Sequence, residues 1–178
     1  MLITADVSIP FPRSLVYLTY RDQLVELVPY LPNVRSVEVK SRREENKRVY
    51  CVNFWHGGGR IPLALRALLG EAMLSWTEYD TWDESNYTLE WRIETQAFTE
   101  AVFCRGKNCF LENNSTTIIQ TRGELSIDPE QLEGLTRFFK GKAASIVENF
   151  LGNKIVPNLI QMSKGVRNYL EQTTRSRA

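Results

Sequence analysis

The sequence predicts an α+β domain in which a curved antiparallel sheet of about seven strands wraps around one long C-terminal helix. Three observations lead to this fold class. Seven segments alternate apolar and polar residues, which is typical of half-buried strands. Short turns connect most of them, which favours antiparallel neighbours. The C-terminal region instead carries apolar residues at helical spacing, so one large helix can cover the apolar face of the sheet.

The first strand covers residues 2–9, and its apolar residues share one face: Ile3, Ala5, Val7 and Ile9. Pro10 and Pro12 end this strand, and Pro12 also suits the first position of a helix. Apolar residues then recur at helical spacing as far as Val28. A break near Asp22 divides this segment into two short helices.

Six further strands are predicted at 34–42, 47–55, 71–82, 87–94, 101–111 and 116–127. Turn-forming segments such as DESN and ENNS separate several of them. The strand at 87–94 alternates most regularly, with its apolar face formed by Tyr87, Leu89, Trp91 and Ile93. Gly106 lies inside a strand pattern, and this predicts a β-bulge.

The last part of the chain predicts helices. Asp128 and Pro129 have the residue types of an N-cap and a first helical position. We expect a short helix over 129–139, and then a long one from about Lys142 to Leu170 with an apolar stripe facing the sheet. Breaks or bends are expected at the helix-weakening residues Gly134, Gly141 and Pro157. A single domain would then cover 1–172, with a disordered tail at 173–178.

The composition narrows the function classes. The net charge is +1 and both signs are interspersed, so the clustered positive charge that nucleic-acid binding normally needs is missing. Three cysteines, an odd number, argue against a disulfide framework and favour reduced thiols in the cytoplasm. The sequence carries no pattern of a secretory signal, and no apolar run reaches the roughly 18 residues of a membrane span.

The order of these elements resembles the helix-grip fold of the START-related (SRPBCC) superfamily, the group of polyketide cyclases and lipid-transport proteins. The resemblance rests on the strand at 2–9, the helix pair ending in PYLPNV, and the helix VENFLGNKIVPNLIQMSKGVRNYL at 147–170. GELSID followed by RFFKG is similar to uncharacterised members of cyanobacterial and plastid lineage. Members bind lipids, isoprenoids, hormones or polyketides between sheet and helix, and some are enzymes. The longer, apolar connection at 55–70 departs from this pattern.

Motifs for nucleophilic or metal chemistry are weak. His56-Gly57-Gly58-Gly59 is similar to the oxyanion-hole sequence of esterases, but a G-x-S-x-G segment is missing and His56 is the only histidine. A cysteine nucleophile lacks its base for the same reason. Cys104 and Cys109 fall roughly on opposite faces of a strand, so we expect no metal site. No motif indicates a cofactor.

Carboxylates in the middle of the chain leave an enzymatic alternative open. Glu90 and Glu94 lie on the polar face of their strand, which predicts solvent exposure. Glu78 and Asp80 share a strand face with two tryptophans, so the sequence does not decide which face of that strand points inward. Inward carboxyls close to a tyrosine such as Tyr50 would favour a cyclase or dehydratase acting on an apolar carbonyl compound.

Apolar and aromatic side chains on the predicted inner surface are the candidates for ligand contacts: Tyr50, Val52, Phe54, Trp76, Leu89, Trp91, Ile93, Phe103, Ile119, Thr121, Val147, Phe150 and Leu151. Large rings on a concave sheet either fill a core or line a pocket. The resemblance favours a pocket for a hydrophobic small molecule such as a lipid or isoprenoid. Thr121 is a candidate for orienting that ligand.

The apolar segment GRIPLALRALLG at 59–70 is a candidate lid. Ile61, Leu65 and Leu68 would cover the pocket mouth, or touch a membrane while its two arginines lie at the level of the headgroups. Docking of another protein is the alternative role for this segment. The sequence leaves the oligomeric state open.

Overall fold

The computed structural model describes residues 1–58, 74–132 and 137–176, without the side chains at 137–140, 154 and 156. These residues form one curved antiparallel sheet whose strands are β1 (Leu2–Ile9), β2 (Val34–Glu45), β3 (Arg48–Gly57), β4 (Ser75–Asp83), β5 (Thr88–Thr95), β6 (Val102–Asn113) and β7 (Thr116–Ile127). Their order across the sheet is β1-β7-β6-β5-β4-β3-β2. The predicted fold class is confirmed.

Two short helices follow β1, as predicted. They are α1 (Arg13–Asp22) and α2 (Leu24–Leu27), and a 3₁₀ turn at Val28–Tyr30 leads into β2. The break after Asp22 lies where the sequence places it. Val16 and Tyr17 on α1 and Leu27 on α2 are almost completely buried, so these helices cover part of the concave face of the sheet.

The C-terminal region differs from the prediction. At the start of the helix expected over 129–139, Pro129–Gln131 form a 3₁₀ turn that is capped by the Asp128 side chain. The break expected at Gly134 falls on residues 133–136, outside the described part of the chain. The long helix α3 then runs from Arg137 to Arg175, 39 residues, and continues through Gly141 and Pro157. It therefore spans roughly 58 Å at 1.5 Å per residue. Packing of its buried face outweighs the local helix weakness of glycine and proline.

Helix α3 also extends beyond its predicted end at Leu170. Residues 173–175, predicted as part of a disordered tail, are helical. The hydroxyl groups of Thr173 and Thr174 donate hydrogen bonds to the Leu170 carbonyl oxygen at 3.2 and 2.8 Å.

The bulge predicted at Gly106 is wrong. Trp91 on β5 pairs with Gly106 on β6, and Gly106 pairs with Gly123 on β7. Neither register is interrupted at these residues. The Trp91 ring lies across both glycines, so that a Cβ atom at Gly106 would come within 2.3 Å of the ring. Glycine is needed at both positions to make room for the indole.

None of the described helices is long and apolar enough to cross a membrane. The predicted lid residues Ile61, Leu65 and Leu68 fall within 59–73 and lie outside the described residues.

Candidate functional site

A cavity of about 350 Å³ lies between the sheet and the helices. Helix α3 approaches β1 and β7 most closely, at one edge of the sheet. The inner faces of β3, β4 and β5, further across the sheet, therefore remain separated from the helix, and α2 closes the space from the side. The volume is within the range of pockets that hold small molecules.

Most of the cavity wall is apolar. On the sheet side, Trp55 and Trp76 stack with their ring centroids 5.8 Å apart and nearly parallel planes. On the helix side, the apolar residues of α3 that face the cavity are Phe150, Leu151, Ile155, Leu159 and Met162. Such walls favour an apolar ligand because contact removes apolar surface from water on both partners.

Three polar side chains form the centre of the sheet wall. Asn53 on β3 is the strand partner of Glu78 on β4, and Asp80 lies two residues further along β4 on the same face. Asn53 is 2% exposed and Asp80 is 7% exposed, whereas Glu78 keeps partial access to solvent. The Asn53 Nδ2 group donates a hydrogen bond to Asp80 Oδ2 at 2.8 Å.

Burial changes the protonation of both carboxyls. It raises the pKa of Glu78 to about 7, and the indole N–H of Trp55 is near enough to oppose this rise without making a complete hydrogen bond. Burial also raises the pKa of Asp80 well above its ordinary range; the charge of Glu78 adds to the effect and the hydrogen bond from Asn53 opposes it. Two carboxyls this close favour sharing one negative charge near neutral pH.

A group of ion pairs forms the rim next to the polar centre. Arg42 on β2 contacts Asp22 at 2.9 Å and Glu44 at 2.7 Å, while Arg21 contacts Asp22 at 2.8 Å and also pairs with Glu84. Burial raises the pKa of Asp22, but the hydrogen bonds from both arginines outweigh it and hold that pKa low. These cations are therefore already paired with carboxylates at the rim.

Five of the predicted ligand contacts lie in the cavity wall. They are Trp76, Leu89, Ile93, Phe150 and Leu151. Four others are buried in the core beside the cavity: Trp91, Ile119, Thr121 and Val147. The Trp91 ring instead packs over Gly106 and Gly123, and its indole N–H donates to Asn108 Oδ1 at 3.1 Å. Thr121 is 4% exposed and is not one of the cavity-lining residues.

The strand face predicted for β3 is wrong. Tyr50, Val52 and Phe54 point to the outer surface of the sheet, and the alternate residues, including Asn53, point inward. Both faces of β3 carry apolar residues, and the buried asparagine gives the inner face a polar appearance in the sequence. Outside, Arg43 lies 4.8 Å above the Tyr50 ring and Lys40 lies 5.6 Å from the Phe54 ring, so cations cover these aromatics.

Phe103 on β6 is also on the outer face, where it is 44% exposed. The Arg105 guanidinium lies 4.7 Å from its ring. Its neighbours Val102 and Cys104 are the buried ones, because a shift of one residue moves a strand side chain to the opposite face.

Several wall residues were missing from the sequence prediction: Cys51, Asn53, Trp55, Asn158 and Gln161. The only signal for the polar centre was the shared face of Glu78 and Asp80 with Trp76 and Trp82. In the structure all four point inward, which resolves the ambiguity of β4. Glu90 lies on the exposed outer face, as predicted, and so does Glu94, which is partly covered by Arg92 and Tyr79.

Cys51, Cys104 and Cys109 are unpaired. Across residues 1–58, 74–132 and 137–176, no group of three or more His, Cys, Asp or Glu side chains is arranged to hold a metal ion.

Comparison with known proteins supports the fold through structure alone. No protein-family model matches the sequence, and neither does any curated protein. The structure is similar to the Zhui aromatase/cyclase of a Streptomyces species, with TM-score 0.69 and 17% identity over 100% of this chain and 98% of that chain. It is similar to TTHA0849 from Thermus thermophilus, with TM-score 0.63 and 19% identity over 93% and 97% of the two chains.

Truncated norcoclaurine synthase from Thalictrum flavum has TM-score 0.61 and 12% identity, over 96% of this chain and 92% of that chain. The chain therefore has the helix-grip fold, as the order of its elements predicted.

Proposed function

We propose that this chain binds a hydrophobic small molecule in the cavity between β3–β5 and α3. One observation carries the proposal: about 350 Å³ of space with predominantly apolar walls remains inside an otherwise packed domain. Such a volume is near the lower end of small-molecule pockets. It suits an isoprenoid or a compound of a few rings better than a diacyl lipid. Burial of apolar ligand surface, at roughly 25 cal/mol per Å², would drive binding.

Similar proteins support this proposal by analogy, since the Zhui protein is named as an aromatase/cyclase and the Thalictrum protein as a norcoclaurine synthase. Both names imply small organic molecules, although a shared fold does not transfer a substrate. The three unpaired cysteines favour a reducing, cytoplasmic environment. A membrane-contacting lid and a docking role for residues 61–69 stay predictions.

Native mass spectrometry of gently purified protein, followed by solvent extraction, tests the proposal. We expect a bound species whose mass corresponds to an apolar compound. Leu159→Trp, which projects a large ring from α3 into the cavity, should abolish that species. Ile146→Trp is the matched control, because Ile146 lies on the same helix but is 42% exposed. A protein that is always empty, or a ligand retained equally by both variants, contradicts the proposal.

A second function, catalysis, is favoured by the inward orientation of Glu78 and Asp80. They lie near Tyr20 rather than the predicted Tyr50: Tyr20 is buried, and after burial the charges of these two carboxyls are the next causes that raise its pKa. A carboxyl with a pKa near 7 suits general acid–base catalysis at neutral pH. This arrangement fits a cyclase or dehydratase acting on an apolar carbonyl compound.

The catalytic alternative can be tested with a linear aryl triketone, whose cyclisation to an aromatic product is followed by absorbance. We expect the protein to accelerate the reaction and Glu78→Gln to lower the rate by about 10²-fold or more. A rate equal to that in buffer, at several pH values, contradicts this function and leaves ligand binding unaffected.

A further inference from the structure

Hydrogen-bonding groups without partners concentrate in the cavity wall. In the described part of the chain, every buried side-chain nitrogen or oxygen that lacks a hydrogen bond belongs to a wall residue: Asn53 Oδ1, Trp55 Nε1, Asp80 Oδ1 and Asn158 Oδ1. Asn53, Trp55 and Asp80 are each more than nine-tenths buried. Native proteins leave few such groups unpaired, because each loses its hydrogen bonds to water. Their common location points to a polar group of the ligand.

Acceptors dominate this set. The one donor, the Trp55 N–H, is near enough to the Glu78 carboxyl to lower its pKa, so a small movement supplies its partner from within the protein. Asn53 already donates to one oxygen of Asp80. The unpaired oxygens of Asn53 and Asn158 can only accept, and the unpaired oxygen of Asp80 can only accept whenever the shared negative charge is on Asp80. A ligand that satisfies them has to donate hydrogen bonds.

Within residues 1–58, 74–132 and 137–176, no positive charge is paired with the polar centre. None of the described lysines and arginines pairs with Glu78 or Asp80, and the two arginines of the described cavity wall, Arg21 and Arg42, are bound to the carboxylates of the rim. Among the residues that the structure describes, the titratable groups that interact with these two carboxyls are Tyr20 from α1, Cys51 from β3 and Cys104 from β6. The described α3 residues in the wall are uncharged.

On the premise that the cavity binds a ligand, we propose that this ligand is an apolar amine whose ammonium group lies against Glu78, Asp80 and Asn53. An ammonium group supplies three donors and compensates the negative charge that the carboxyls share. The aromatic rings of the wall add a favourable cation–π environment. A neutral hydroxyl would satisfy an acceptor and leave the charge uncompensated, and the described groups are too few to hold a metal ion.

Three probes of matched shape test the inference: 1-naphthylmethylamine, 1-naphthylmethanol and 1-ethylnaphthalene, titrated by calorimetry at pH 8. We expect the amine to bind about tenfold or more tightly than either neutral probe, since charge-assisted hydrogen bonds are the stronger ones. Between pH 6 and pH 8 amine binding should strengthen as Glu78 ionises, because its pKa is about 7. Binding of the hydrocarbon should stay constant.

The preference for the amine should fall to less than about threefold in Glu78→Gln and Asp80→Asn. Glu90→Gln is the control, because it removes a carboxylate from the outer face of the neighbouring strand, and it should keep the preference. Equal affinity for all three probes in the wild-type protein overturns the amine inference and leaves the binding proposal standing. Failure of all three to bind also overturns it, and native mass spectrometry then decides the binding proposal separately.

Discussion

The space between α1 and the sheet is filled, whereas the space between α3 and the strands β3–β5 is partly empty. Beside α1, the Tyr17 ring packs edge to face against Trp82, Tyr87 and Phe110, with centroid distances of 5.1 to 5.2 Å. Below α3, about 350 Å³ remains open. Tyr20 and Trp82 belong to both regions, since they contact Phe110 and also line the cavity.

The two regions also differ in whether their buried polar atoms have hydrogen-bond partners. In the filled region, buried polar atoms have hydrogen-bond partners. Thr117 Oγ1 donates to the Phe11 carbonyl oxygen at 2.7 Å, and the Trp91 indole N–H donates to Asn108 Oδ1. In the cavity wall, Asn53 and Asp80 each keep an unpaired oxygen. The filled half therefore supplies stability, and this allows the other half to keep features that cost stability and suit a ligand.

The largest expected effect comes from emptying the filled half. Phe110 is 1% exposed and contacts three aromatic rings, so Phe110→Ala should lower the free energy of unfolding by about 3–5 kcal/mol. Leu159→Ala, whose side chain already borders the cavity, should cost about 2 kcal/mol or less because fewer contacts are lost. Urea denaturation measures both changes. Equal losses would show that the two regions are packed alike.

The next largest effect concerns pH. Burial raises the pKa of Glu78 in the folded chain from 4.5 to about 7. The stability that the protonated Glu78 carboxyl contributes is therefore complete below about pH 4.5, and it is lost as the pH rises through about 7. The free energy of unfolding of the wild-type protein, relative to Glu78→Gln, should fall on the order of 2–3 kcal/mol between about pH 5 and pH 8. Thermal unfolding over this range measures it. If the stability of the two proteins depended on pH in the same way, Glu78 would be exposed to solvent in the folded chain.

The fold was predictable because its signals are local and repeated. Alternation along β1 and β5 places Ile3 and Leu89 on the buried face, and the structure agrees. The continuity of α3 was not predictable from Gly141 and Pro157, because tertiary packing rather than local propensity maintains the helix.

The cavity was only partly predictable. Phe150 and Leu151 follow from the apolar stripe of α3, and both line the cavity. The face of β3 was assigned wrongly because Tyr50 and Phe54 look more like core residues than Asn53 does. The inward face of β3 is identified only by its pairing with β4, in which Asn53 is the partner of Glu78. A buried polar group at a binding site departs from the rule that polar residues lie outside, so such a site is hard to read from periodicity.

A smaller effect tests how tightly the filled half is packed. A Cβ atom at Gly106 would lie 2.3 Å from the Trp91 ring and 2.6 Å from the Arg122 carbonyl oxygen. Gly106→Ala should therefore cost about 1–3 kcal/mol through overpacking. Gly141→Ala is the opposite control: apart from the helix's own backbone, no described atom lies within 4 Å of its Cβ position in α3, so alanine should stabilise by about 0.5–1 kcal/mol. A harmless Gly106→Ala would mean that the Trp91 ring has room to move.

The smallest effect compares two carboxylates on neighbouring strands. Glu90 on β5 is exposed and pairs with Lys107 at 3.0 Å, whereas Glu78 on β4 faces the cavity. Water screens the outer pair, so Glu90→Gln should change the free energy of unfolding by about 0.5 kcal/mol or less, and high salt should remove even this difference. Its pH curve should run parallel to that of the wild-type protein, in contrast to Glu78→Gln. A large change in Glu90→Gln would mean that surface charge, rather than the carboxyl in the cavity, governs the pH dependence of stability.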